Sequence, residues 1–154
     1  LFAALPLLGG ALGNWISGWW VDRLYVRGSW RRSRRLPAMI GFLLATVGVL
    51  GSAHAATAVS SSLWFSLCLL GSDMTLSPSW STCVDIGGRH SGTVSGAMNM
   101  AGNIGSFVTS LAFPYLLAWT GSSLPFFYLA AALNLGAIVS WMWIEPEVAL
   151  EANS

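Results

Sequence analysis

Amide and hydroxyl side chains recur at helical spacing between residues 92 and 110, inside a segment that is otherwise apolar. At 100° per residue on a helix, the small and polar residues fall in one stripe about 100° wide. This polar stripe consists of Gly92, Ser95, Gly96, Asn99, Asn103, Ser106 and Ser110. An amide that faces lipid without a partner costs several kcal/mol, so the polar stripe must meet protein, water or a ligand.

The polar stripe has two interpretations. An amide offers both donors and an acceptor, which suits the hydroxyl and carboxylate groups of a small solute. We therefore predict that Asn99, Asn103 and Ser106 line a solvated substrate path. The alternative is helix packing, in which small residues let helices approach closely and an amide bonds to a neighbouring helix. Packing is the favoured interpretation for Gly92 and Gly96.

A second polar face lies upstream of the polar stripe, where Asp73, Ser77, Trp80 and Ser81 share one side of a helix. We assign Ser77, Trp80 and Ser81 to the same substrate path. A carboxylate near mid-membrane costs about 2.5–3.5 kcal/mol on insertion scales, so Asp73 is expected to face a cavity. Asp73 is then a proton or cation site or a substrate contact; the alternative is a hydrogen-bonded structural residue. Pro78 is expected to bend this helix.

A charged motif follows the first apolar segment. Gly18 and Asp22 are four residues apart and share a helix face, and Arg23 and Arg27 follow at the same interval. An aspartate just outside the membrane can accept hydrogen bonds from a helix N-terminus or from an arginine. We predict that these four residues form a latch that holds two helix bundles together on the inner side.

The other residues that are able to do chemistry show no catalytic or metal-binding pattern. His54 and His90 have no ligand set around them, and Cys68 and Cys83 lie in apolar surroundings that predict packing thiols. Asp85 and Arg89, four residues apart, are interpreted as a second inner latch or a helix cap. Because no nucleophile elbow or phosphate-binding glycine loop occurs, we predict neither an enzyme, nor a metal site, nor a cofactor.

The amino-acid composition indicates whether these residues lie in water or in a membrane. Of 154 residues, 55% are hydrophobic and 8% are charged, and the mean hydropathy is +0.64. An ordinary soluble domain is about 25% charged, so the chain is predicted to lie in a membrane. Six of the seven basic residues are arginines between positions 23 and 35. Nucleic acid is not an expected partner, because no basic stripe continues elsewhere.

Five apolar windows are long enough to cross a bilayer, since about 20 helical residues span its hydrocarbon core. The chain is therefore predicted to be all-α, with the second span beginning at Pro37, which a first helical turn tolerates. A short acidic tail over 145–154 is expected to be disordered. The predicted spans are 1–21, 37–56, 63–84, 93–119 and 124–144.

Orientation follows from the arginines, because basic loops are retained on the cytoplasmic side. The connections at 22–36 and 85–91 contain arginine, whereas those at 57–61 and 120–123 contain none. This alternation places the first residue outside and the tail in the cytoplasm. The chain starts inside an apolar segment without an initiator methionine or a signal-peptide pattern, so we expect further sequence upstream.

The pattern G-x-x-x-D-R-x-x-x-R, from Gly18 to Arg27, resembles the cytoplasmic loop motif of the major facilitator superfamily, with Tyr25 at a position where that family usually has glycine. Three further segments look like the last three helices of the anion:cation symporter family within that superfamily, which includes hexuronate and aldonate transporters. The segments are WSTCVDIGGRHSGTVSGAMNMAGNIGS, FPYLLAWTG and PFFYLAAALNLGAIVSWMWIEP. The resemblance covers essentially the whole chain, which would be helices eight to twelve of a twelve-helix transporter.

The resemblance implies uptake of a small organic anion by alternating access, driven by a proton or sodium ion, in a bacterial inner membrane. Asn99 and Asn103 match positions on the eleventh helix that face the cavity, and Trp80 and Ser81 match the approach along the tenth helix. The N-terminal half and the seventh helix would lie upstream. They would supply the cationic substrate clamp and most coupling carboxylates.

No lysine or arginine lies deep within the five predicted spans, so the counter-charge for an anion would have to come from the upstream half. Asp73 would repel an anion unless it were protonated. Two alternatives stay open: a transporter of a neutral sugar or drug with the same fold, and a membrane-anchor subunit that transports nothing.

Overall fold

The computed structural model describes residues 4–147. The part of the chain that it describes is helical throughout, without strands, which confirms the all-α prediction. A short 3₁₀ turn, Gly88–His90, joins the fourth and fifth helices. The helices are α1 (Ala4–Val26), α2 (Trp30–Ala53), α3 (Ala58–Met74), α4 (Leu76–Gly87), α5 (Ser91–Thr120) and α6 (Leu124–Trp143).

By length and composition, three helical stretches among the described residues are suited to crossing a membrane: Trp30–Ala53, Ala58–Thr120 and Leu124–Trp143. The middle stretch is 63 residues long and contains α3, α4 and α5. A straight helix of that length would measure about 95 Å, whereas the hydrocarbon core is about 30 Å thick. The stretch instead folds back, because α4 packs against α5. The number of five spans stays a prediction.

Small residues bring α1, α2 and α3 into close contact. Gly9, Gly13 and Ser17 are buried along one side of α1, one turn apart. A Cβ atom added at Gly13 would meet the backbone carbonyl of Leu70, and one added at Gly9 would lie 2.6 Å from the carbonyl oxygen of Ser66. These helices therefore approach through their backbones, as small residues allow in membrane proteins.

The predicted start of the second helix at Pro37 is wrong. α2 begins at Trp30, so Pro37 lies in its interior, where it is buried. A proline inside a helix costs about 3 kcal/mol because it removes a backbone hydrogen bond. The helix continues upstream because two of its arginines are held by other helices: Arg34 by Asp85 of α4, and Arg35 by the carbonyl of Ile144 after α6.

The helix that contains Pro78 is interrupted where a bend is predicted. α3 ends at Met74, and α4 begins at Leu76. Because Pro78 has no N–H, it cannot bond to the Met74 carbonyl four residues earlier. Ser17 of α1 supplies the missing donor, since its hydroxyl donates a hydrogen bond to the Met74 carbonyl at 2.5 Å. The interruption is therefore stabilised by a contact between helices.

α6 packs along α2 and is fixed at both ends. At one end Tyr128 Oη lies 3.1 Å from His54 Nε2. At the other, Arg35 donates to the Ile144 carbonyl from Nε at 2.8 Å and from Nη2 at 2.5 Å, which caps the helix C-terminus with a positive charge. The first residues of the predicted disordered tail have defined contacts: Glu145 pairs with Arg31, and Pro146 is buried. Positions 148–154 of that tail, like 1–3 of the first predicted span, lie outside the described residues.

Candidate functional site

A polar cleft of about 390 Å³ lies between α1 and α4. It brings together residues with two different predicted roles: Ser77, Trp80 and Ser81 of the substrate path come from α4, and Gly18 and Asp22 of the latch come from α1. The residues that line the α1–α4 cleft are Asn14, Gly18, Val21, Asp22, Leu76, Ser77, Trp80 and Ser81.

Asn14 is a polar residue of this cleft that was not predicted from the sequence. Ser77 Oγ donates to Asn14 Oδ1 at 3.2 Å, which joins α1 to α4 at the cleft wall. A signal for Asn14 was present, because it precedes Gly18 by four residues and Asp22 by eight and so shares their helix face. The motif therefore extends one turn further into the helix than its charged end suggests.

Within the described chain, six of the seven residues of the polar stripe on α5 are exposed, and Ser95 is half-buried. Along α5, all of which is described, no residue is buried. Asn103 Nδ2 donates to the Asn99 backbone carbonyl at 2.9 Å, and Ser110 Oγ donates to the Ser106 carbonyl at 2.8 Å. These bonds keep the side chains close to their own helix and leave further amide and hydroxyl capacity facing outward.

The helix-packing interpretation of Gly92 and Gly96 has no counterpart within the described part of the chain. A Cβ atom added at either glycine would meet nothing within 4 Å, and the same holds for Gly102 and Gly105. By contrast, Gly9 and Gly13 of α1 and Gly41 and Gly48 of α2 lie directly against the backbone of α3. Glycine thus lies in open space along the polar stripe of α5 but at close helix contacts in α1 and α2.

Asp73 does not line the α1–α4 cleft, but it faces α1 one helical turn before Asn14. It is half-buried in the last turn of α3. Its carboxylate faces Gly10 of α1, where an added Cβ atom would meet Asp73 Oδ2. Asp73 is therefore placed at a contact between two helices, and it does not join Ser77, Trp80 and Ser81.

The charged end of α1 lies at the surface of the described chain, with Asp22 also at the edge of the α1–α4 cleft. Asp22, Arg23 and Arg27 are exposed. The Arg23 guanidinium lies 5.6 Å from the centre of the Trp19 ring, one turn earlier on the same helix. The contact found for this arginine is thus a cation–π interaction within α1.

A buried charge contact between Arg34 and Asp85 joins two helices on this side. Arg34 Nε donates to Asp85 Oδ2 at 2.7 Å, and Nη2 donates to Oδ1 at 3.3 Å, so the pair is bidentate. The two side chains are 8% and 13% exposed. Trp30 Nε1 donates to the same carboxylate at 2.8 Å, and the Arg34 guanidinium lies 5.2 Å from the centre of the Tyr25 ring. The ion pair thereby joins α2 to α4, and the Tyr25 ring of α1 packs against its guanidinium.

Asp85 was predicted to act with its near neighbour Arg89. The structure shows that Asp85 accepts hydrogen bonds from Arg34 and Trp30, both near the start of α2, and these two partners were not predicted. The only signal was that Asp85 is an acidic residue on the arginine-rich side of the chain. Within residues 4–147, no group of three or more histidine, cysteine or acidic side chains is placed to hold a metal ion.

Comparison with known proteins points to one family. Residues 1–110 match the profile of the Major Facilitator Superfamily. The chain is similar to a protein named probable sulfoacetate transporter SauU, from Cupriavidus necator, with 32% identity over 154 residues. That alignment covers 99% of this chain but 36% of the relative, so the chain spans about a third of the relative's length. No solved structure matches the chain.

Proposed function

This chain belongs to the major facilitator superfamily, and we propose that it forms part of a secondary active transporter for a small organic anion. The observation that carries the proposal is the exposure of Asn99 and Asn103 on α5, a helix whose other side is apolar. Amides that no helix of the described chain covers are free to line a wet passage. The likeness to a probable sulfoacetate transporter supports an anionic substrate, since sulfoacetate carries a carboxylate and a sulfonate.

The proposed mechanism is alternating access, with uptake coupled to a proton or a sodium ion. The relative is about three times as long as this chain, which supports a further helical half that lies against the polar stripe and the α1–α4 cleft. The residues that line the cleft include the acidic Asp22 and no lysine or arginine. The positive charge that balances the anion is therefore proposed to come from the other half. Asp73, at the α1–α3 contact, is the proposed ion or proton site.

The family and the apolar helices identify a multi-pass integral membrane protein. We propose five spans, with the arginine-rich ends of α1 and α2 and the tail after α6 in the cytoplasm of a bacterium. The contacts of Arg35 with Ile144 and of Arg31 with Glu145 support this arrangement, because they bring the tail to the arginine-rich side. The inner membrane is the proposed location.

Uptake by the full-length protein in proteoliposomes tests the proposed function. With an inward proton or sodium gradient imposed, labelled sulfoacetate and hexuronate are expected to accumulate, and dissipating the coupling gradient is expected to stop accumulation. Uptake of neutral hexose but of neither anion would support the alternative transporter of the same fold. A folded protein that takes up none of these solutes would support the membrane-anchor alternative.

Asp22→Asn is expected to slow turnover while barely changing substrate affinity. The proposed latch of Gly18, Asp22, Arg23 and Arg27 acts on the exchange between inward-facing and outward-facing states, because Asp22 and both arginines lie exposed at the end of α1. Stopped-flow measurement of the turnover rate, beside equilibrium binding, separates the two effects. Glu147→Gln is the matched control, since it removes an exposed negative charge outside the motif. Equal turnover rates of the wild-type protein and Asp22→Asn would contradict the proposed latch.

A further inference from the structure

We propose that Asn14 is a substrate-binding residue, whose amide donates hydrogen bonds to an oxyanion group of the transported anion in the α1–α4 cleft. The inference rests on the proposed transport of an anion and adds the atoms that recognise it. Asn14 is exposed near the middle of α1 and lines the cleft together with Ser77, Trp80 and Ser81.

The orientation of the Asn14 amide is fixed by Ser77. The Ser77 hydroxyl donates to Asn14 Oδ1 at 3.2 Å, so the carbonyl side of the amide faces α4. The oxygen and the nitrogen of a planar amide point in different directions, and the NH₂ group is therefore turned away from Ser77. Two N–H donors are presented by a side chain that is held in place before any substrate arrives, which lowers the cost of ordering it on binding.

The remaining chemistry of the cleft favours recognition by neutral donors. Trp80 contributes an indole N–H and Ser81 contributes a hydroxyl, whereas the one hydroxyl proton of Ser77 is donated to Asn14. The volume of about 390 Å³ lies within the range of about 300–1,000 Å³ that is typical of ligand sites. Hydrogen bonds to a charged acceptor are roughly twice as strong as those between neutral groups, so an oxyanion gains more from these donors than a neutral solute does.

Carboxylates flank Asn14 on both sides along α1. Asp22 lies eight residues further on, about 12 Å along the helix axis, and the Asp73 carboxylate faces Gly10, four residues before Asn14, which is about 6 Å. The oxyanion is therefore assigned to the part of the cleft nearest the Asn14 amide, while the positive charge that balances the anion and both carboxylates comes from outside the cleft.

Asn14→Asp in the full-length transporter tests the assignment. The variant keeps the shape of the side chain and an oxygen that accepts from Ser77, but it replaces the two donors with a negative charge. The KM for sulfoacetate uptake in proteoliposomes is expected to rise at least about 10- to 100-fold, the loss associated with a hydrogen bond to a charged group. The melting temperature in detergent is expected to stay unchanged. Asn134→Asp, the same change on α6 outside the cleft, is the matched control and is expected to keep the wild-type KM.

A merely structural role predicts the opposite result. If Asn14 only joins α1 to α4, Asn14→Asp keeps the bond to Ser77 and the KM stays at the wild-type value, which overturns the assignment. Absence of anion uptake by the wild-type protein overturns the proposed function and this inference together. If Asn14→Asp does not fold, Ser77→Ala serves instead, because it frees the amide to rotate and is expected to raise the KM about 3- to 10-fold. An unchanged KM for Ser77→Ala then overturns the assignment.

Discussion

Asp85→Ala is expected to destabilise the helix bundle by about 3–5 kcal/mol, the effect of removing one partner from a buried ion pair. The Arg34 side chain is 8% exposed, so its guanidinium would lose its counter-charge without gaining full access to water. The indole N–H of Trp30 would lose its acceptor in the same substitution. Unfolding of the purified full-length protein in detergent, followed by circular dichroism, measures the change in stability.

The exposed pair of Arg31 and Glu145 provides the control for Asp85→Ala. Its atoms approach as closely, at 2.8 Å, but the side chains are 44% and 58% exposed. Solvent screens such a pair, so Glu145→Ala is expected to change stability by about 0–1 kcal/mol. Combining Arg34→Met with Asp85→Leu removes both charges and is expected to recover most of the loss. An equal effect of Asp85→Ala and Glu145→Ala would show that burial of the Arg34–Asp85 pair is not what stabilises the bundle.

Asn103→Leu is expected to reduce uptake at least about 10- to 100-fold, because a substrate path through the polar stripe would lose an amide that both donates and accepts. Leucine is a good helix former of similar size, so α5 is expected to remain intact. The structure places Asn103 on an exposed face, where its Nδ2 bonds only to the preceding turn among the contacts found in residues 4–147. Initial rates of sulfoacetate uptake, normalised to the amount of protein inserted in the liposomes, measure the effect.

Ala101→Leu is the matched control for Asn103→Leu, since it introduces the same side chain on the apolar side of the same helix at an equally exposed position. This control is expected to transport normally. Normal transport by Asn103→Leu as well would favour the packing interpretation, in which the stripe only joins this chain to another helix. Loss of transport in both variants would mean that the effect of Asn103→Leu is not specific to the polar stripe.

Much of the helical structure was predictable because it depends on local properties of the sequence. The window predicted over 124–144 corresponds to α6, Leu124–Trp143, and the window over 93–119 corresponds to α5, Ser91–Thr120. Hydropathy and helical periodicity are set by neighbouring residues, so they identify helices and the faces of helices without knowledge of the fold. The start of α2 was mispredicted for the converse reason. Its first turns depend on partners in α4 and after α6, which no local pattern contains.

The sequence by itself determined that this chain is helical and largely apolar, that α5 is polar along one side, and that six of the seven arginines lie between positions 23 and 35. The tertiary structure decided which of these features meet. Arg34 and Asp85 are 51 positions apart, and Asn14 and Ser77 are 63 positions apart, yet each pair is in hydrogen-bond contact. Periodicity places a residue on a face of its own helix, but which other helix covers that face depends on how small residues such as Gly9 and Gly13 let the helices pack. Only that packing determines which charges are buried together and which amides stay exposed.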